Sequence, residues 1–197
     1  MTISNDENSS MLENISVNEV QYFKLLNDCF NIYGPTKEEF INVVSFNLQK
    51  LLKKYKLSNI CISLGKNSLY NCIGYHLGRI LKVKSYNIYI FENEDNNIDV
   101  LKYKYTYYNN ENDNLLNNLS DFSLCISFGS TKIKSKEYLY INKIYDDFTN
   151  STCISLGCIT NYYEKQMYLI DVNISEELYK KYNLKRVFVD STLVKIN

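Results

Sequence analysis

Apolar positions along this chain follow two periods, and the switches between them divide it into elements. Val20, Phe23, Leu26 and Phe30 fall at helical spacing behind Ser16–Glu19, an S-x-x-E capping box. Gly34-Pro35 makes a turn. Thr36–Glu39 repeats the box ahead of a second stripe, Phe40, Val44, Leu48, Leu51 and Leu52. Asn59–Leu64 is a short apolar run closed by Gly65, as expected of a buried parallel strand. A third helix then presents Leu69, Cys72, Ile73, His76, Leu77 and Ile80 on one face, and Ser85–Phe91 is the next strand. Residues 92–121 form an acidic, Asn-rich connection with a strand near Leu101–Tyr108 and a short helix around Asn114–Leu119. Phe122–Phe128 reads as a strand closed by Gly129, Lys136–Phe148 as a helix, and Thr152–Leu156 as a strand closed by Gly157. Gln166–Val172 is another strand, and Ser175–Leu178 leads into a helix. Arg186–Asp190 with Leu193–Ile196 supplies an edge strand. Alternating strands and helices predict an α/β fold, a Rossmann-like three-layer αβα sandwich with a mainly parallel sheet. One domain is expected over residues 16–197, behind a flexible polar tail at 1–15.

Composition narrows the class. With 45% apolar and 22% charged residues, the chain is globular rather than disordered. No apolar run reaches the roughly 20 residues that span a bilayer, so no membrane role is expected. The acidic start (Asp6, Glu7, Glu13) lacks the basic and apolar regions of a signal peptide, which predicts an intracellular chain. There the six cysteines, Cys29, Cys61, Cys72, Cys125, Cys153 and Cys158, are expected reduced and mostly buried. They form no C-x-x-C pair, and with His76 the single histidine no metal site is expected. The richness in Asn, Lys, Ile and Tyr is what an AT-rich genome imposes, so nineteen tyrosines do not by themselves indicate base stacking.

Net charge is zero but unevenly spread: Gln49–Lys56 holds four lysines and no acid, whereas seven acids and two lysines lie between Glu92 and Asp121. Zero net charge argues against bulk capture of RNA and leaves local patches open. Lys50, Lys53, Lys54 and Lys56 are one candidate RNA-binding patch, and Lys180, Lys181, Lys185 and Arg186 another. The plainer reading of the first is a set of cations complementing a helix C-terminus.

Ligands of open α/β sheets bind beyond the carboxyl ends of the strands. Three strands here end alike, in ISLG (62–65), ISFG (126–129) and ISLG (154–157). The segment from Gly65 through Asn67, Ser68 and Asn71 occupies the place of a phosphate-binding loop. It lacks both the G-x-G-x-x-G and the P-loop patterns, and Leu69 and Tyr70 sit where bare backbone amides are needed.

The order of these features resembles the YjeF N-terminal domain, the fold of the NAD(P)HX epimerases. Against that family's first loop, roughly G-x-G-N-N-G-G-D-G-x-x-x-A-R-x-L, this chain has GKNSLYNCIGYHLGRIL at 65–81. Gly65, Asn67 or Ser68, Gly74, Gly78-Arg79 and Leu81 are the echoes. QMYLIDVNISEELYKKYNL (166–184) is similar to the family's closing strand and helix, with Asp171 retained. The departures fall on the chemistry. The family's acids correspond to Cys125 and Ser155 here, and the aspartate of the first loop falls near Cys72. Epimerisation needs positioned proton-transfer groups, and an unactivated thiol does not replace a carboxylate. His76 is a conceivable base, but its place on an apolar helix face favours a buried neutral ring.

The resemblance therefore implies a pseudoenzyme that needs no cofactor. Its vestigial pocket comprises Gly65, Asn67, Ser68, Asn71, Cys125, Ser127, Gly129, Ser155 and Gly157. Leu25–Gly34 (LLNDCFNIYG) and Gly78-Arg79 look most like the C-terminal domain of enhancer of mRNA decapping proteins. That branch implies a homodimerising scaffold of cytoplasmic mRNA decay, P-bodies included, with mRNA-decay proteins or RNA as partners and the leading helices as dimer elements. The chain has no room for that branch's LSm domain and FDF linker, so partners bound through them do not transfer. A diverged epimerase-like or nucleotide-binding protein, and an RNA or ribonucleoprotein binder, are the alternatives.

Overall fold

In the computed structural model, the described residues are 14–55, 57, 59–94, 97–100, 122–129, 131, 133–146, 148–188 and 191–197. The expected tail, the expected strand at 101–108, the expected helix at 114–119 and Lys56 lie outside them, apart from residues 14 and 15.

Helix α1 (Glu19–Asp28) runs into a π-type turn at Cys29–Tyr33, and α2 spans Lys37–Leu52. The box before α2 forms as expected, with Thr36 Oγ1 accepting from the Glu39 amide and the Glu39 carboxylate accepting from the Thr36 amide. Helix α1 starts later than its S-x-x-E motif predicts. Ser16 pairs in a bridge with Ile159, and the Val17 amide donates to the Ile159 carbonyl at 2.9 Å. That extended pairing excludes helix, and Asn18 with Gln21 makes the reciprocal cap instead. The buried side of α1 is Tyr22, Leu25 and Leu26, with Cys29 continuing it, rather than the predicted stripe; Val20 is 80% exposed and Phe23 is also exposed. Tyr22 turns the helix by seating its ring in the core.

The sheet has eight strands in the order β3-β2-β1-β4-β5-β6-β7-β8. They are β1 (Asn59–Leu64), β2 (Asn87–Glu94), β3 (Asn97–Val100), β4 (Leu124–Ser127), β5 (Tyr138–Ile141), β6 (Ser151–Leu156), β7 (Met167–Ile170) and β8 (Leu193–Lys195). All neighbouring pairs are parallel except the edge strands β3 and β8. The order reverses between β1 and β4, the switch point of a Rossmann-like α/β fold. Helices α3 (Ser68–Val83) and α4 (Glu176–Lys181) are the other helices among the described residues. Arg186–Phe188 stays outside the sheet, and β8 alone forms the predicted C-terminal edge.

One core cluster takes the buried side chains of the four described helices together with one face of the sheet. The other face packs against connections between strands, through Ile133, Ile144, Phe148, Ile159 and Tyr163. The handedness of crossovers explains the split. The chain moves from β1 to β2 in one direction and from β4 to β7 in the other, so right-handed connections use opposite faces. On the second face those connections contain no helix among the described residues. The predicted helix at 136–148 is accordingly wrong: Tyr138–Ile141 is β5, buried throughout. Its apolar residues are continuous rather than amphipathic, and periodicity cannot separate such a run from a buried helix segment.

Helix α3 also turns differently from its predicted face. Leu69, Tyr70, Ile73, Gly74, Leu77, Gly78 and Leu81 are buried, Cys72 is exposed, and His76 and Ile80 are half-buried. A Cβ on Gly74 would collide with Leu64 Cδ2, and one on Gly78 would stand 2.9 Å from Ile90 Cδ1. The two glycines let the helix backbone lie against β1 and β2, which swings Cys72 and His76 outward.

Candidate functional site

The carboxyl ends of the parallel strands bring Gly65, Ser127, Gly129, Ser155 and Gly157 to one edge, with Asn67, Ser68 and Asn71 at the start of α3. The crevice at the β1/β4 switch point is where a dinucleotide pyrophosphate binds in this architecture. Here its two walls touch. A Cβ on Gly65 would lie 2.7 Å from the Phe128 carbonyl oxygen, and one on Gly129 3.0 Å from Gly65 Cα. These glycines admit each other's backbone, not a ligand's phosphate.

The amides that a phosphate would need are already engaged. Asn67 caps α3, its Oδ1 accepting from the Leu69 and Tyr70 amides at 3.0 and 3.2 Å. Asn71 closes the loop on itself: its Nδ2 donates to the Gly65 carbonyl at 2.9 Å and its Oδ1 accepts from the Gly65 amide at 3.2 Å. Ser127 Oγ donates to the Gly129 carbonyl, so this buried hydroxyl also points into its own turn.

Beside the crevice, aromatic rings from two helices fill the space above the strand ends. The Tyr70 hydroxyl meets Asn142 Nδ2, and Asn142 Oδ1 accepts from the Leu156 amide at 2.8 Å. Asn142, in the left-handed region at φ 62°, thereby joins α3 to the end of β6. Tyr22 is buried beside them, its hydroxyl near Tyr70 and Asn142 without sound hydrogen-bond geometry to either. Burial raises both phenols above their ordinary range, so they stay protonated at physiological pH.

Cys125 and Ser155 sit buried on the opposite face of the sheet. Cys125 Sγ is 3.9 Å from Cys61 Sγ, its in-register partner across β1/β4, and burial raises the Cys61 thiol well above its usual value. Ser155 Oγ makes no sound hydrogen bond; the neighbouring Cys153 thiol, pushed up to about 12 by burial, is a weak partner. Cys29, Cys61, Cys125, Cys153 and Cys158 are buried and Cys72 is exposed, all six as free thiols. His76 is half-buried, with burial and the Arg79 guanidinium lowering its pKa. The buried carboxylate at this edge is Asp171, which accepts from Arg186 Nη2 and the Asn173 amide, both at 2.9 Å. Among the described residues no group of three or more His, Cys, Asp or Glu side chains could hold a metal ion, and no helix is long and apolar enough to cross a membrane.

The two basic clusters lie apart. Lys50, Lys53 and Lys54 are exposed around the end of α2, with Lys54 over the Tyr168 ring near the start of β7. Lys180 pairs with Glu176 at 3.6 Å, Lys181 with Asp28 at 2.6 Å, and Arg186 with Asp171 just past the end of β7. Lys185 is exposed, and its amide donates to the Asn14 carbonyl. Charge counting along the sequence does not foresee the Lys181–Asp28 pairing, because Asp28 is 153 residues from Lys181. An open cleft of about 530 Å³ at the start of α2, lined by Tyr33, Glu39, Asn42, Val43, Asn173 and Ser175 among others, has no motif to announce it.

A family model matches residues 17–195, nearly the whole chain. The chain belongs to the family described as domain of unknown function DUF5096. No curated protein matches its sequence. Among solved structures it is similar to yeast Ynu0 (YNL200c), with a TM-score of 0.65 and 11% identity over 91% of this chain and 99% of that one. At that identity the likeness establishes the fold alone, a Rossmann-like α/β domain.

Proposed function

We propose that this DUF5096 domain is a non-catalytic, self-associating scaffold that keeps the Rossmann-like frame and has given up its ligand crevice. The close backbone approach of Gly65 and Gly129 carries the reading, because it leaves no gap between the two strand ends for a phosphate. The side chains at the strand ends support it. Asn67, Asn71, Ser127 and Asn142 spend their polar groups on the protein's own backbone or on Tyr70, and a buried thiol and serine stand where the resembling epimerases carry acids. Work in cytoplasmic mRNA decay, P-bodies included, with decay proteins or RNA as partners, follows from the resemblance to the decapping-enhancer domain.

Thermal unfolding with NADH, NADPH and AMP, alongside sedimentation velocity of the whole chain, tests both halves. The expectation is no saturable stabilisation at millimolar nucleotide and a dimer at micromolar protein. A ligand at a hundred times its Kd adds about 2.7 kcal/mol, a shift that is easily seen and would overturn the closed-crevice reading. Purification from cells without decay factors or RNA would remove the assignment to mRNA decay.

A further inference from the structure

Two of the six thiols face each other across the centre of the sheet. Cys61 on β1 and Cys125 on β4 are in-register neighbours, fully buried, with their sulfurs 3.9 Å apart. The other buried thiols are placed elsewhere, Cys29 and Cys158 in the core of the helical face and Cys153 beside Met167 on the opposite face. Adjacent strands run about 4.8 Å apart, and a disulfide spans Cα atoms about 4.4–6.8 Å apart. The strand spacing therefore already suits a bond, and the sulfurs need only close to about 2 Å. Between the two cysteines the chain makes an excursion of 64 positions through α3, β2 and β3, so no local pattern pairs them.

We propose that Cys61 and Cys125 form a redox site, which a peroxide converts to a disulfide that ties β1 to β4 at the switch point. One sulfur attacks the peroxide and the O–O bond breaks. A sulfenic acid forms, and the thiol proton leaves with the departing hydroxide as water. The second thiol attacks that sulfur, the S–O bond breaks, and a second water leaves as the S–S bond closes. The two electrons lost by the thiols are those the peroxide gains, and a thiol reductant reverses the change. Gly65 and Gly129 each lie four residues beyond one of these cysteines, so the bond sits beneath the crevice walls and fixes their spacing. Access controls the reaction. Phe91, Phe122, Ile133, Tyr138 and Tyr140 cover the pair, and burial holds the Cys61 thiol well above its usual range, which protects the closed protein. Part of that cover is a strand connection tied down by side chains. The Tyr138 hydroxyl bonds the Ser135 amide and the Ile133 carbonyl, and Ser135 Oγ donates to the Phe122 carbonyl at 3.3 Å. Release of this connection opens a path to the thiols while the helical face stays folded.

The test exposes the whole chain, with Cys72 replaced by serine, to hydrogen peroxide and then alkylates the remaining thiols in denaturant. Mass spectrometry should find two fewer alkylated thiols and a reductant-sensitive link between the peptides that hold Cys61 and Cys125. Cys61→Ser and Cys125→Ser should each abolish the link. Tyr138→Phe keeps the ring and frees Ser135 and Ile133, and it should speed oxidation several-fold at urea concentrations well below the unfolding midpoint. The oxidised chain should unfold at higher urea than the reduced one, because the bond closes a long loop in the unfolded chain. Sulfinic acid at either position without the link, a link through other cysteines alone, or oxidation that tracks global unfolding would overturn the proposal. None of these outcomes bears on nucleotide binding or self-association, so the scaffold reading is judged separately.

Discussion

On one face of the sheet α1–α4 bury a continuous, largely aliphatic core, and backbone groups in the helix interiors are satisfied within the helices. On the other face, connections between strands do the covering, and side chains must satisfy the backbone. The Tyr138 hydroxyl accepts from the Ser135 amide and donates to the Ile133 carbonyl. Tyr163 accepts from the Ile144 amide, and Tyr140 donates to Asp146, which also holds the Thr131 amide. The comparison gives part of the tyrosine content a structural purpose. A ring fills space against a strand while its hydroxyl anchors a loop. It also implies two kinds of stability, one spread over many apolar contacts and one concentrated in single hydroxyls.

Breaking the helical face should have the largest effect. Leu77→Ala removes a fully buried side chain between α3 and the sheet and is expected to cost about 2–5 kcal/mol in denaturant unfolding. A loss below 1 kcal/mol would mean that the helix layer contributes far less than its packing implies. On the loop face, Tyr140→Phe keeps the ring and deletes the donor to Asp146, with an expected cost of about 1–2 kcal/mol. Its signature is local: hydrogen exchange at the Thr131 amide should accelerate more than exchange in β1. Uniform acceleration would show that the two faces unfold as one unit. The smallest effect concerns the latch between α1 and α4. Lys181 and Tyr182 hydrogen-bond to Asp28 and lower its pKa in the folded protein. A carboxylate depressed in this way contributes stability above its unfolded pKa of about 4, and the contribution is lost as pH falls through the folded value. Asp28→Asn should therefore flatten the acid limb of the stability profile and leave the helical core unchanged; an unaltered limb would assign it to other carboxylates.

Much of the helical face was legible in the sequence. The Thr36–Glu39 box, the Phe40–Leu52 stripe and the glycine-closed strands at 59–64 and 151–156 appear where local patterning puts them, because caps and periodicity are properties of neighbouring residues. The loop face was not legible. Residues 138–141 read as part of a helix, and what makes them a strand is pairing with β4 and β6, strands outside any local window. The candidate crevice shows the same limit. Its glycines and asparagines are visible at 65–71 and 126–129, but their use in closing the loops on each other depends on two strands lying side by side.

By itself, the sequence determined the α/β class and the leading helices, since each follows from residue type or short-range spacing. The tertiary structure alone decided that Gly65 and Gly129 touch, that Tyr22 seats beside Asn142, and that Asp28 meets Lys181. Those outcomes come from the switch in strand order and from helix rotation, which bring residues separated by tens to hundreds of positions into contact and which no local pattern encodes.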